Sequence, residues 1–190
     1  MKNNAQNVLD TPNANTIFLV WNFKQNVKIL PVFQRICALM SNLNNSAQVR
    51  TTVARASVVM GISYQAWKKL QLPEPLPKEL IAFQPIIGTK HTAVSTDGDI
   101  HFHIRADDKS YTIDMAADIS NLLTPVADCI EEIHGFRYWD GRSILGFVDG
   151  TENPIGPQRA HFGIIGNEDE LYQGGSYLFV QKYIHDLIAW

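Results

Sequence analysis

Hydrophobic residues recur along this chain with two rhythms, one of period two and one near 3.6, separated by polar and proline-bearing breaks. Thr16 to Phe23 is apolar, β-branched and aromatic between polar flanks, which predicts a first strand. A helix is predicted from about Val27, with Pro31 tolerated in its first turns. Ile29, Phe33, Ile36, Met40 and Leu43 then share one face, and Asn42, Asn44, Asn45 and Ser46 are expected to end it. A second strand is expected within Val49 to Gly61, and a short helix over Tyr64 to Leu70 with Trp67 as its anchor. Three prolines in Leu72 to Pro77 rule out helix and central strand, so this is a surface connection inside a domain.

Asp99 to Ala106 alternates cleanly, with Ile100, Phe102, Ile104 and Ala106 on one face and His101, His103 and Arg105 on the other. That pattern predicts a half-buried strand with a polar outer face. Asp107, Asp108 and Ser110 are candidate caps for a helix to about Leu123, stopped by Thr124-Pro125. A further strand is expected around Cys129 to Tyr138. The order strand, helix, strand, strand, helix, strand predicts an α+β, ferredoxin-like (split βαβ) unit over 16–140, an antiparallel sheet with helices on one side. Residues 1–15, rich in asparagine, are expected to form a flexible arm. From 141 to 175 glycines and Pro154 and Pro157 predict a long turn-rich segment, of the kind that usually carries function. Ser176 to Lys182 reads as a fresh strand, opening a further unit over 176–190.

Composition narrows the function classes. The chain has 190 residues, 45% hydrophobic and 18% charged, with a formal charge of -3. Neither nucleic acid nor an anionic membrane would attract such a surface. No apolar run near the start approaches the ~18 residues of a membrane span, and no basic segment precedes Ile17 to Trp21 to make a secretory signal. Cys37 and Cys129 cannot build a disulfide framework and read as thiols of a reducing compartment, so a cytoplasmic location is expected.

The sharpest local chemistry lies in Gly146-Phe147-Val148-Asp149-Gly150-Thr151-Glu152-Asn153-Pro154. Glycines on both sides of Asp149 allow a tight turn that leaves the carboxylate projecting toward a ligand. The alternative is an Asp-Gly turn whose carboxylate bonds its own backbone. A calcium loop starting at Asp149 fails, because Pro154 stands at its sixth position and Ala160 at its twelfth. His101 and His103 share a strand face, yet no further ligands accompany them, so a structural role is the better reading. His185 is formally available to a haem iron but stands alone at a strand end.

These blocks together resemble the DyP-type (dye-decolourising) haem peroxidases, in particular their cytosolic bacterial subgroup. The resemblance rests on Gly146 to Gly150, extended by Thr151 to Pro154, and on Ile133 to Tyr138 with Asp140-Gly141-Arg142 before it. It also rests on Gly61, Trp67 and Leu70, on Thr96 to Ala106, and on Gly174 to Gln181. It implies two ferredoxin-like halves of the dimeric α/β-barrel type, with haem b held mainly by the second. It implies Asp149 as the acid/base that moves a proton between the oxygens of hydrogen peroxide. Phe147, Gly150, Thr151, Glu152 and Asn153 would line or support the haem, and a small dye-like or phenolic donor would supply electrons. Homo-oligomers fit the family. Its proximal histidine and distal arginine are expected beyond residue 190, His185 not being the axial ligand. The second half is therefore expected to be represented by its first strand alone. The competing expectation is a non-catalytic half-domain that acts as a binding module.

Overall fold

In the computed structural model, residues 6–50, 52–148 and 150–189 are described. The main sheet is built from β1 (Asn15–Phe23), β2 (Ser57–Ile62), β5 (Ile100–Ala106) and β6 (Ala127–Phe136). Two-residue strands β3 (Ile86–Ile87) and β4 (Thr92–Ala93) form a separate hairpin. The helices are α1 (Leu30–Arg50), α2 (Tyr64–Lys69), α3 (Lys109–Leu123) and α4 (Gln158–Gly163), with 3-10 turns at Thr52–Ala54 and Asn167–Tyr172. Strand order is β2-β5-β1-β6 with every pairing antiparallel, the ferredoxin-like topology that the element order predicts.

One face of the sheet is the core. Register pairs Ile17 with Ile104, Leu19 with Phe102 and Trp21 with Ile100, so these side chains share a face. They join Ile36, Met40 and Ala47 of α1 and Met115, Ala116, Ile119 and Leu123 of α3 in one buried cluster. Asp108 caps α3 by accepting from the Ser110 N–H at 2.9 Å, and Ser63 caps α2 by accepting from the Ala66 N–H at 3.1 Å. Trp67 is only half-buried. Ala66 and Leu70 anchor α2, while the Trp67 indole N–H donates to the Pro73 carbonyl.

Helix α1 does not stop at its asparagines. It begins three residues later than expected and runs on to Arg50, because Asn44 has tertiary work. Its amide donates to the Val58 carbonyl and accepts from the Val58 N–H, both at 2.9 Å. Gln6 treats Met60 the same way, at 2.7 and 2.5 Å. Val58 and Met60 lie on edge strand β2, so two side-chain amides occupy backbone groups that would otherwise invite another strand. Residues 6–14 of the expected arm make contacts of the same kind with the sheet, and residues 1–5 lie outside the described residues. Asp107 pairs with Arg55 at 2.7 Å and accepts from the Ala14 N–H at 3.0 Å, and Arg55 also donates to Thr11. A polar segment can dock when its partners are polar edges instead of a hydrophobic core.

Two further expectations are corrected. The polar face of β5 is mostly covered: His101 is buried and His103 half-buried, and both stack on Phe18, at 6.2 and 4.5 Å between ring centres. Arg105, 7% exposed, donates to the Asn7 carbonyl at 2.8 Å. Ser176 to Lys182 forms no strand among the described residues. Its alternation is suited to a sheet, but no neighbouring backbone pairs with it.

Two predictions follow from this packing. Asn44→Ala strips both Val58 backbone groups of their partner and is expected to cost about 1–3 kcal/mol in urea unfolding. The second concerns pH. Burial, then the nearby Arg105 and His101 charges, pulls the His103 imidazole down to about 4. An unfolded imidazole titrates near 6.5, so the unfolded chain binds more protons between those values. Stability is therefore full above pH 6.5 and falls as pH drops toward 4, by up to roughly 3 kcal/mol from this residue. His103→Gln should flatten that part of a plot of unfolding free energy against pH.

Candidate active site

The glycine-rich segment begins where β6 ends. Arg137 still continues the ladder into the arm, donating its N–H to the Ala14 carbonyl at 2.8 Å. The chain then reverses through Trp139 (φ +47°) and Gly141 (φ +103°), and the Gly141 N–H closes on the Tyr138 carbonyl at 2.9 Å. An isolated antiparallel bridge joins Arg142 to Val148. Inside it the Ser143 N–H donates to the Phe147 carbonyl and the Gly146 N–H to the Ser143 carbonyl, each at 2.9 Å. Residues 142–148 are thus a closed turn.

Gly146 sits at φ +90° with open space where a Cβ would point, and Gly150 at φ +74°. These are left-handed conformations that side chains rarely adopt, which is why glycine brackets position 149. Asp149 itself lies outside the described residues. The Asn153 N–H donates to the Gly150 carbonyl at 3.1 Å and folds Gly150 to Asn153 into a second turn. Phe147 and Val148 are 58% and 57% exposed, and Thr151, Glu152 and Asn153 are exposed beside them. Phe147, Gly150, Thr151, Glu152 and Asn153 thus lie exposed on or beside the two turns that flank position 149.

Charged ties hold this turn. Arg142 grips Asp140 through one guanidinium edge, Nε and Nη2 donating to its two carboxylate oxygens at 3.0 and 3.2 Å, and the Arg137 guanidinium donates to the Asp140 carbonyl at 3.0 Å. The Arg142 hydrogen bonds hold the Asp140 carboxyl below its ordinary value. Residues 137, 140 and 142 were legible as a motif, but not as a clasp. The available signal was a pair of opposite charges two residues apart across a glycine.

The remaining segment is more ordered than a turn-rich reading predicts. Arg159 of α4 reaches the Asp10 carbonyl at 3.4 Å. Asp169, buried, accepts from the Lys78 N–H at 2.9 Å, and the Tyr172 hydroxyl donates to the Pro75 carbonyl at 2.6 Å. Tyr172 meets Trp67 edge to face, 5.6 Å between centres. The glycine-rich segment is thereby tied to both the arm and the proline-rich connection.

No histidine completes a metal site. His185 is exposed and stacks on Tyr183, and His134 bonds Glu132 at 2.7 Å. Among the described residues no group of three or more histidine, cysteine, aspartate or glutamate side chains could hold a metal ion. No helix among them is long and apolar enough to cross a membrane.

Comparison with known proteins gives this geometry its context. The family model described as Dyp-type peroxidase, N-terminal, matches residues 6–137, and that described as Dyp-type peroxidase, C-terminal, matches residues 140–190. A dye-decolorizing peroxidase of Mycobacterium tuberculosis is 40% identical over 151 residues, covering 80% of this chain and 45% of that one. The crystal structure of a dye-decolorizing peroxidase from Bacteroides thetaiotaomicron superposes with a TM-score of 0.94 at 42% identity, over 98% of this chain and 60% of that one. A variant of DypB from Rhodococcus jostii RHA1, solved in complex with heme, gives a TM-score of 0.78 at 34% identity over 89% of this chain and 54% of that one. The chain thus spans about half the length of the relatives it matches. In sequence and in fold, it belongs to the Dyp-type peroxidase family.

Proposed function

We propose that this chain supplies the peroxide-activating turn of a haem-dependent peroxidase, one that reduces hydrogen peroxide and oxidises a small dye-like or phenolic donor. The observation that carries the reading is the closed turn from Arg142 to Val148, which delivers the chain to position 149 between two left-handed glycines. Proton transfer to and from peroxide calls for a carboxylate, and position 149 is the aspartate that stands between these two turns in the sequence.

Haem fits the residues present as a ligand of one wall. Phe147 and Val148 offer exposed apolar surface beside the turn, and the space above Gly146 is open where any side chain would intrude. Phe147, Gly150, Thr151, Glu152 and Asn153 would hold or support the group. Bound haem would supply an iron centre that exchanges electrons with peroxide and with the donor. Asp149 would take a proton from one oxygen of peroxide, hold it on a carboxylate oxygen and deliver it to the other. Phe147 and Val148 would exclude bulk water from that transfer.

The division into a first half-domain over 16–140, a site segment over 141–175 and the start of a second half over 176–190 belongs to the same reading. So do a cytoplasmic location, which the free thiols Cys37 and Cys129 support, and assembly into homo-oligomers.

Titrating the purified chain with haem is expected to give a saturable Soret band. In the loaded protein, Asp149→Ala should slow the reaction with peroxide by ~10²–10⁴, about 2.7–5.4 kcal/mol of barrier, in stopped flow. A chain that binds no haem would favour a non-catalytic module, and an unchanged peroxide rate would remove Asp149 from its role.

A further inference from the structure

The sheet face opposite the helices carries a transverse row set by the strand register. Gly61 pairs with His101, His101 with Val20 and Val20 with Glu131, so β2, β5, β1 and β6 each place one residue in line. Residues 178–182 touch both ends of that row. At the β2 end a Cβ on Gly61 would stand 3.3 Å from Leu178 Cδ2, so the glycine is a seat for the leucine. At the β6 end the Lys182 ammonium donates to both Glu131 carboxylate oxygens, at 3.0 and 2.8 Å. The ends lie about 14 Å apart at ~4.8 Å per interstrand step, and the extended chain from 178 to 182 spans about 13–14 Å. The segment therefore crosses all four strands nearly straight. Val180 has the parity of Leu178 and Lys182 along this path, while Phe179, of opposite parity, is 83% exposed.

His101 lies in this row, one strand in from Gly61. It is 8% exposed, and its Nδ1 is buried without a hydrogen-bond partner among the described residues. Burial holds the imidazole below its ordinary value, while the Leu19 backbone draws it the other way. The charged or titratable groups around it are His103 and Arg105 of β5, Glu131 of β6 and Lys182, with Asp10 of the arm acting on Arg105. β1 and β2 contain no ionisable residue. The Lys182 and Glu131 side chains are 53% and 41% exposed, so their pairing is a weak hold, suited to opening while the sheet stays folded. We propose that residues 178–182 form a latched strap over His101, with Leu178 seated on Gly61 and Lys182 latched on Glu131, so that releasing the latch opens this row to water without unfolding the sheet. The strap also ties a segment matched by the C-terminal family model onto the sheet matched by the N-terminal one.

The test compares the full chain with Glu131→Gln, Gly61→Val and the double variant, by histidine NMR titration, trypsin cleavage after Lys182 and urea unfolding. Glutamine removes the latch charge at equal length, and valine fills the seat with a residue that strands favour. Glu131→Gln should speed cleavage after Lys182 about two- to fivefold with the urea midpoint in place, and the double variant by more. In the double variant His101 should titrate higher, toward the ordinary value near 6.5. Loss of the Glu131 charge alone would move it down, so the direction separates opening from simple electrostatics. Glu131→Gln by itself should raise His101 by less, which keeps the test valid if valine disturbs β2. His103, stacked on Phe18 in the next row, should keep its low value in every variant. An unmoved or lowered His101 titration in these variants would overturn the strap as its cover, and unchanged cleavage after Lys182 would overturn the latch. A rise of His103 together with His101, or a lower urea midpoint in Glu131→Gln, would place the effect in the sheet and overturn local opening.

Discussion

Asp99 is the junction on which the arrangement of β1, β5 and α2 depends. Its carboxylate is 2% exposed and accepts from the Phe23 N–H at 2.7 Å and from the Lys69 ammonium at 2.8 and 2.7 Å. Its own N–H donates to the Trp21 carbonyl, and its carbonyl accepts from the Ser63 N–H. A buried carboxylate is costly unless it is paired and hydrogen-bonded, and here the Phe23 N–H and the Lys69 ammonium do both while the Asp99 backbone binds Trp21 and the α2 cap residue Ser63. The end of β1, the start of β5 and the first turn of α2 are thereby locked to one another, and the core residues Trp21, Phe23 and Ile100 stand next to the lock.

From that fixed centre the rest is edge management. On one side, Asn44 and Gln6 occupy the outward backbone groups of β2, which also draws the arm onto the sheet. On the other, β6 hands the chain through Arg137 into the clasp with Asp140 and Arg142 and so into the turn before position 149. The candidate site is thus a loop steered by charged side chains from the end of a rigid strand. Precision in such a site depends on its supporting contacts as much as on the reacting residue.

What the sequence disclosed follows from the range of the forces involved. β1, β5 and α3 are written locally, in alternation, helical periodicity and the Asp108 cap, and their order was enough to infer the ferredoxin-like sheet. Asn44 misled because helix propensity penalises asparagine, whereas its partner Val58 lies on a strand across the fold. The role of Gln6 was hidden as well, since its partner Met60 is 54 residues away. His101 and His103 alternate like solvent-facing residues, yet both stack on Phe18 and His101 is buried. At the site, glycines 146 and 150 announced a turn. The clasp behind it was hidden, because it requires Trp139 and Gly141 to take left-handed backbone conformations that residue types alone do not dictate.

The most direct test of this account is urea unfolding of Asp99→Ala against the parent chain, followed by both far-ultraviolet and tryptophan signals. If Asp99 is the junction, the midpoint falls by the equivalent of about 2–4 kcal/mol, the slope is unchanged, and both signals still move together. A loss below about 0.5 kcal/mol, the range of an ordinary surface substitution, would contradict the claim that the sheet, α2 and the site behind them are organised around this one carboxylate.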